Sequence, residues 1–175
     1  TYIGDGAMNN GQVFEAFNLA SLWKLPVLYI IENNMYGMGT SVNRSSAGSE
    51  LFKRAEPFDI PGEIVDGMNV FKVREAAYKA GNYVRSGKGP FILEVQTYRY
   101  RGHSMSDPAK YRTKKELESY KTKDPIQIVH EEIIKKKISS EKKLEKINKE
   151  VIQKIKEAVE YALDSPFPSP ENLYT

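Results

Sequence analysis

The fold of this chain is decided by two stretches, Tyr2-Ile3-Gly4-Asp5-Gly6 and Val27-Leu28-Tyr29-Ile30-Ile31-Glu32-Asn33-Asn34. Tyr2 and Ile3 are expected to end a strand, and Val27 to Ile31 form an apolar run typical of a strand in a buried parallel sheet. The residues between them, from Gln12 to Lys24, are predicted to form a helix. A strand, a helix and a second strand in this order indicate neighbouring parallel strands with a crossover connection.

Polar and small residues follow both predicted strands at the edge where open α/β sheets bind ligands. Magnesium prefers oxygen ligands and usually takes one or two carboxylates together with oxygens of bound phosphates. Asp5 and Asn34 would therefore supply one negative charge and leave room for a diphosphate. Gly4 and Gly6, on either side of Asp5, let the backbone turn tightly and approach the phosphates. The pattern predicts a site for magnesium and a diphosphate.

Strand and helix alternate further along the chain. We expect a loop over residues 33–49, a short helix over 51–56, a turn over 57–61, a strand at Ile64-Val65, a helix over 74–85 and a strand over 91–97. A long polar loop over residues 99–112 is followed by predicted helices over 113–121, 125–137 and 140–163. The predicted fold class is α/β, a parallel sheet with helices on both faces, followed by a C-terminal helical region. The expected division is an α/β domain over residues 1–112 and helices over 113–175 packed on the same domain.

The composition excludes several classes of function. The 26 basic and 23 acidic residues give a net charge of only +3, so the chain offers no basic field for nucleic acid. It contains no run of about 18 apolar residues, so we expect no membrane span. The absence of cysteine excludes a disulfide framework and suits a reducing compartment.

The Gly-Asp-Gly tripeptide alone occurs in many turns, and Asp5 and Asn34 could be turn residues that bond their own backbone. The surrounding motifs favour a functional site. They are Gly4-Asp5-Gly6-Ala7, Gly11-Gln12, Phe14-Glu15-Ala16, Leu22-Trp23-Lys24-Leu25-Pro26, Glu32-Asn33-Asn34, Tyr36-Gly37-Met38-Gly39-Thr40-Ser41 and Tyr98-Arg99-Tyr100-Arg101-Gly102-His103-Ser104-Met105-Ser106-Asp107-Pro108. From the first residue to about Pro170, the chain resembles the alpha subunits of the decarboxylating component of pyruvate dehydrogenase, in the thiamin diphosphate-dependent 2-oxo acid dehydrogenase family.

The resemblance implies thiamin diphosphate and magnesium as cofactors. It implies oxidative decarboxylation of pyruvate, with acyl transfer to a lipoyl group of the dihydrolipoyl acyltransferase. The implied partners are a beta subunit, in an alpha2-beta2 assembly, and a lipoyl domain. The expected location is the bacterial cytoplasm, or alternatively the mitochondrial matrix.

The resemblance also assigns roles to individual residues. The implied metal ligands are Asp5, Asn34 and the backbone carbonyl of Tyr36, while Asn33 is expected to support the turn or the ligands. The implied cofactor-binding residues are Gly4, Asp5, Gly6, Ala7, Asn34, Tyr36, Met38 and His103, of which Gly6 and Ala7 would offer backbone donors to the diphosphate.

His103 is the implied catalytic residue, in a loop that lies at the active-site mouth in the family. There the histidine assists substrate and lipoyl chemistry, and imidazole can change its charge near neutrality. A lone histidine in a loop can also be merely solvated, and His130 is expected to be structural. Ser104 and Ser41 match positions that are phosphorylated in mitochondrial members, although a serine that only bonds the loop is the preferred interpretation.

Alternatives remain open at this point. Thr1 is not expected to be a natural N-terminus, and the chain is interpreted as a C-terminal fragment whose missing part would complete the pocket. Branched-chain relatives tend to carry Gly-Glu-Gly-Ala where this chain has Gly4-Asp5-Gly6-Ala7, and acetoin relatives lack the Ser-Met-Ser-Asp-Pro loop, which favours pyruvate. A related 2-oxo acid or acetoin dehydrogenase, a cofactor-binding fragment without turnover and an α/β domain that binds no thiamin are the other hypotheses.

Overall fold

The computed structural model describes residues 1–174. Its strands, in chain order, are β1 (Tyr2–Gly4), β2 (Leu28–Asn33), β3 (Tyr36–Gly37), β4 (Thr40–Ser41), β5 (Gly62–Asp66) and β6 (Phe91–Gln96). Four of them form a parallel sheet in the order β1-β2-β6-β5, and β3 and β4 form an antiparallel hairpin.

Helices connect and follow these strands. They are α1 (Gly11–Leu22), α2 (Val42–Ser45), α3 (Val70–Arg85), α4 (Lys114–Lys121), α5 (Pro125–Lys135) and α6 (Glu141–Asp164), with 3₁₀ segments at Ala7–Asn9, Leu51–Phe58 and Pro170–Tyr174. The chain divides into two compact units, Thr1–Val129 and a second that begins at His130. The predicted division into residues 1–112 and 113–175 stays a prediction.

Apolar side chains cover both faces of the sheet. On one face, a core of fully or nearly fully buried residues joins α1 and the segment Leu51–Phe58 to the sheet, and includes Phe17, Ile31 and Ile92. On the other face, a separate cluster packs α3 against the strands through Ala80, Val84 and Phe91. The predicted fold class, a parallel sheet with helices on both faces, is therefore confirmed.

The register of the strands brings their carboxyl ends to one edge. Gly4 of β1 lies opposite Glu32 of β2, and Asn33 of β2 lies opposite Gln96 of β6. Asp66, the last residue of β5, lies opposite the same Gln96. Asp5 and Asn34 thus follow neighbouring parallel strands at this edge, as the sequence predicts.

Two local features differ from the sequence prediction. Helix α3 begins at Val70 instead of Arg74, because the Asn69 side chain accepts hydrogen bonds from the backbone N–H groups of Phe71 and Lys72 and caps the helix. The loop predicted over residues 33–49 contains the hairpin and helix α2.

The second unit is helical. The long helix α6 has no buried residue, and its apolar side chains include Ile147, Val151 and Ile155, each about half exposed. His130 Nε2 lies 2.9 Å from Glu141 Oε2, which agrees with a structural role for this histidine. Within residues 1–174, no helix is both long enough and apolar enough to cross a bilayer.

Candidate metal and diphosphate site

Asp5 occupies the first position after β1 and is only 3% exposed. Burial raises the pKa of its carboxyl above the ordinary value of 3.8, and the effect is opposed by the N–H groups of Asp5 and Asn34 and by the positive charge of Arg99. Gly4 lies opposite Glu32 in the neighbouring strand, so Asp5 and Asn34 both leave the sheet at this edge. Asp5 Oδ2 is buried and has no hydrogen-bond partner.

Asn34 presents a second oxygen of the same kind. Its Oδ1 is also buried and also lacks a hydrogen-bond partner. Buried polar atoms are nearly always paired. Two buried oxygens without partners on adjacent turns therefore indicate a binding site for a hydrogen-bond donor or a cation. A carboxylate and an amide oxygen suit a hard cation such as magnesium. Within residues 1–174, no group of three His, Cys, Asp or Glu side chains lies together, so a cation here would also need neutral oxygen ligands.

The turn that carries Asp5 packs directly against the hairpin. A Cβ atom on Gly37 would lie 3.2 Å from the Cα atom of Gly6 and 3.8 Å from Asp5 Oδ2. The contact is between two backbones, and a side chain at Gly37 would separate them. After Gly6, residues Ala7–Asn9 form a 3₁₀ turn, in which Gly6 O accepts a hydrogen bond from Asn9 N at 3.3 Å.

Gly4, Gly6 and Ala7 therefore line a tight backbone turn beside Asp5. A Cβ atom on Gly4 would meet nothing within 4 Å, so this side of the turn is open. Ala7 is exposed at the start of the 3₁₀ turn. The backbone can be approached here, as the predicted diphosphate contacts require, although those contacts themselves stay a prediction.

Tyr36 lies in β3, and its buried side chain contacts Glu116 of α4. Its hydroxyl donates to Glu116 Oε1 at 2.7 Å, and the Tyr98 hydroxyl donates to the same oxygen at 2.9 Å. Burial, followed by the hydrogen bond to Glu116, raises the pKa of Tyr36 to about 12. The hydroxyl is thus engaged by Glu116, and the metal ligation implied for the Tyr36 carbonyl stays a prediction.

Arg99 links Met38 to the polar loop. Met38 is 65% exposed and has a left-handed backbone conformation with φ +55. Its carbonyl accepts a hydrogen bond from Arg99 Nη2 at 2.5 Å, and the same nitrogen lies 3.2 Å from the Tyr111 hydroxyl. Arg99 Nε is buried without a partner. Arg99 was not among the predicted site residues, although it stands inside the quoted motif.

His103 lies in the loop over residues 99–112 and is exposed. Its backbone N–H donates to Asp107 Oδ2 at 2.7 Å, and its Nδ1 lies 3.4 Å from Arg99 Nη1. The N–H groups of His103 and Ala109 hold the pKa of Asp107 below its ordinary value. The loop also has apolar anchors that the sequence analysis did not foresee, because Tyr100 and Tyr111 pack with the buried Tyr36 and Tyr98.

The structure thus brings Asp5, Gly6 and Asn34 to the same edge of the sheet, and Arg99 contacts both the Met38 carbonyl and the His103 ring. Two residues near the site, Gly37 and Glu94, were not predicted from the sequence. Gly37 has no sequence signal beyond its place in the motif, because its closeness to Gly6 depends on the fold. Glu94 is a charged residue within the apolar run Phe91–Gln96, and its Oε1 accepts a hydrogen bond from the side chain of Asn33, which precedes Asn34.

Comparison with known proteins identifies the family of the chain. The family model described as "Dehydrogenase E1 component" matches residues 1–171. The "Pyruvate dehydrogenase E1 component subunit alpha" of Rickettsia bellii is 53% identical over 175 residues, covering 100% of this chain and 54% of the relative. The subunit of that name from Rhizobium meliloti is 52% identical, with 99% of this chain and 50% of the relative covered. A mitochondrial subunit from Sminthopsis macroura is 49% identical, with 99% and 48% covered.

The chain spans about half the length of the curated relatives it matches. The matched residues include the entire candidate site, from Gly4 to the end of the polar loop at residue 112. Since the family model matches nearly the whole chain, the chain belongs to the dehydrogenase E1 component family.

Proposed function

We propose that this chain is the alpha-subunit part of a pyruvate dehydrogenase (acetyl-transferring), an enzyme of thiamin diphosphate-dependent oxidative decarboxylation that passes the acyl unit to a lipoyl group. The relatives named above are called pyruvate dehydrogenase subunits, which supports pyruvate as the substrate. Membership of the dehydrogenase E1 component family supports thiamin diphosphate as the cofactor.

One observation carries the proposal. Asp5 Oδ2 and Asn34 Oδ1 are buried, unpartnered oxygens that follow adjacent parallel strands. Neither atom satisfies its hydrogen-bonding capacity within the protein, and burial disfavours the charged form of Asp5. A magnesium ion would satisfy both oxygens and favour the ionised form of the Asp5 carboxylate.

The residues of the site then divide the work of holding the cofactor. Bound thiamin diphosphate supplies the chemistry of decarboxylation. Asp5, Asn34 and the carbonyl of Tyr36 would hold magnesium, and the N–H groups of Gly6 and Ala7 would donate to the diphosphate. Met38 lies exposed beside the site, where it can contact an organic cofactor.

His103 is proposed to act on the substrate and on the lipoyl group. It is exposed, and the hydrogen bond of its N–H to Asp107 fixes its backbone while its ring stays accessible. Arg99 lies within reach of the His103 ring and contributes positive charge at Asp5. A negatively charged substrate or diphosphate would therefore meet both groups at the same edge of the sheet.

The proposed partners are a beta subunit, in an alpha2-beta2 assembly, and the lipoyl domain of the dihydrolipoyl acyltransferase. The designation of the relatives as subunit alpha supports a beta partner. The active pocket of the whole enzyme is expected to be completed by residues outside this chain, because the chain spans about half of each relative.

Calorimetric titration of the assembled enzyme with thiamin diphosphate and magnesium tests the cofactor assignment. We expect Asp5→Ala to abolish magnesium-dependent binding. Asp66→Ala is the matched control, because Asp66 is the last residue of a strand at this edge but already pairs with Lys72 at 3.3 Å. Retained affinity in Asp5→Ala, or an equal loss in Asp66→Ala, would count against the assignment.

A second candidate function is a cofactor-binding module without turnover, favoured by the share of the relatives that the chain spans. Mixing the chain with beta subunit, thiamin diphosphate, magnesium and pyruvate separates the two. Release of carbon dioxide supports the dehydrogenase part as a competent unit, whereas cofactor binding without release supports the module. Repeating the assay on the whole enzyme with branched-chain 2-oxo acids and acetoin tests the choice of substrate.

A further inference from the structure

Glu94 is a buried carboxylate in the middle of the sheet that the proposed function does not use. It is 0% exposed and lies in β6 between Ile31 of β2 and Ile64 of β5. A carboxylate in this position loses its hydration, a large cost unless the protein supplies hydrogen bonds. The two hydrogen-bond contacts of its carboxylate show what the residue does.

Each carboxylate oxygen of Glu94 accepts one hydrogen bond. Oε1 accepts from Asn33 Nδ2 at 2.7 Å, and Oε2 accepts from the backbone N–H of Phe52 at 3.0 Å. Phe52 lies in the 3₁₀ segment Leu51–Phe58, which packs on this face of the sheet. Glu94 therefore ties the end of β2 to a neighbouring segment through the interior of the protein.

Asn33 links Glu94 to the turn that carries Asn34. Its side chain is 1% exposed, and its Oδ1 accepts a hydrogen bond from the backbone N–H of Met35 at 3.1 Å. Met35 has a left-handed backbone with φ +75, a conformation unfavourable for a side chain of its size. The hydrogen bond from Met35 N to Asn33 Oδ1 thus closes a strained turn, and Asn34 is the residue inside it.

We propose that Glu94 is a positioning residue for the cation site, holding the Asn33 amide so that the turn from Asn33 to Met35 presents the oxygen of Asn34 beside Asp5. This inference rests on the proposed function, in which Asn34 binds magnesium. It adds a residue on another strand that touches neither metal nor cofactor and acts through Asn33.

A carboxylate is required by the two donors. Asn33 Nδ2 and Phe52 N both present hydrogens, so both atoms that face them must be acceptors. Glutamine has nearly the same shape but only one acceptor oxygen, and its NH₂ group would face one of the two donors. Glu94→Gln therefore changes the hydrogen bonding at constant volume.

The test uses the complete assembled enzyme and manganese(II) as the probe. Its affinity in the presence of thiamin diphosphate is followed by electron paramagnetic resonance, and hydrogen exchange at the Met35 amide is measured without cofactor. Groups that orient metal ligands typically contribute about 10- to 100-fold to metal affinity. We expect Glu94→Gln to weaken manganese affinity about tenfold and to accelerate Met35 exchange, with kcat at saturating metal changed much less than the metal KM.

Two further variants separate positioning from loss of stability. Ile92→Val trims a fully buried side chain on the same face of β6 and should leave metal affinity unchanged. Asn33→Ala removes the intermediary, so the double variant with Glu94→Gln should be no weaker than Asn33→Ala alone. Asn33→Ala also tests the turn if Glu94→Gln does not fold, because it too should speed Met35 exchange and weaken manganese binding.

Unchanged manganese affinity together with unchanged Met35 exchange in Glu94→Gln overturns the inference. So does an equal loss of metal affinity in Ile92→Val, or additive losses in the double variant. A wild-type enzyme that binds no manganese with thiamin diphosphate refutes the proposed function, whereas the Met35 exchange still reports whether Glu94 holds the turn.

Discussion

Gly37→Ala is the substitution that tests the architecture of the site most directly. The added Cβ would lie 3.2 Å from Gly6 Cα and 3.7 Å from Gly6 N. Gly37 has no left-handed backbone, so the effect of alanine is steric. Gly6 has little room to retreat, because it directly follows β1 and Asp5, and β1 is fixed by its pairing with β2.

The magnitude follows from this closeness. Inserting a methyl group into a well-packed contact typically costs about 1–3 kcal/mol of the free energy of unfolding, and backbone neighbours place this case in that range. Relief would require the hairpin and the Asp5 turn to separate by a few tenths of an ångström. Because both turns carry proposed metal ligands, we expect magnesium-dependent affinity for thiamin diphosphate to fall about tenfold, which is about 1.4 kcal/mol.

Gly11→Ala is the matched control, since a Cβ on Gly11 in α1 would meet nothing within 4 Å. This variant should be neutral or gain at most about 1 kcal/mol, because alanine is favoured over glycine in a helix. Urea unfolding gives the stabilities, and calorimetry of the assembled enzyme gives the affinities. If Gly37→Ala matches Gly11→Ala in both measurements, the contact between the two turns does not constrain the site.

Three further predictions concern single side chains. Hydrogen bonds lower the pKa of Asp107, so its stabilisation of the loop is present above the unfolded pKa and lost as the pH falls through the folded pKa. Amide exchange at His103 should therefore be faster in Asp107→Asn than in wild type at neutral pH, and the difference should vanish in acid. Equal rates at neutral pH contradict this prediction. Burial raises the pKa of Asp5, so the stability linked to its protonation is complete below the unfolded pKa and lost as the pH rises through the folded pKa. Without metal, the free energy of unfolding in urea should be higher for Asp5→Asn than for wild type at pH 7, and no higher in acid. A lower free energy of unfolding for Asp5→Asn at pH 7 contradicts this prediction. Tyr98→Phe removes a hydrogen bond to Glu116 and should cost about 1–2 kcal/mol in thermal or urea unfolding. An equal cost in a Glu116→Ala background, where no acceptor remains, argues against that bond as the cause.

Local patterns predicted the sheet well because each strand carries its own signal. The apolar run in β2 and the turn residues after β1 are enough to place Asp5 and Asn34 at one edge. The start of α3 was also readable, since Asn69 precedes the apolar residues as an N-cap, but the predicted helix began at Arg74.

The hairpin and the supporting contacts could not be predicted in the same way. Met35 and Met38 adopt left-handed conformations that their residue type disfavours. Met35 N donates a hydrogen bond to Asn33 Oδ1, and the Met38 carbonyl accepts one from Arg99. The pairing of Asn33 with Glu94 joins residues 61 positions apart, and only the register of β2 and β6 brings them together. Contacts of this range have no local sequence pattern.

The side-by-side asparagines have a consequence for the length of β2. Asn33 binds Glu94 in the core, whereas the amide oxygen of the next residue, Asn34, lies at the site without a hydrogen-bond partner. Deletion of one residue within the strand would shift Asn34 into the position opposite Gln96, where the same amide could rebuild the bond to Glu94. Met35 would then stand where the cation needs an oxygen ligand, and its thioether sulfur is a poor ligand for magnesium. Because side chains alternate between the two faces of a strand, the deletion would also turn part of the buried set of β2, such as Ile31, away from its core, so the spacing along this strand constrains the interior and the site together.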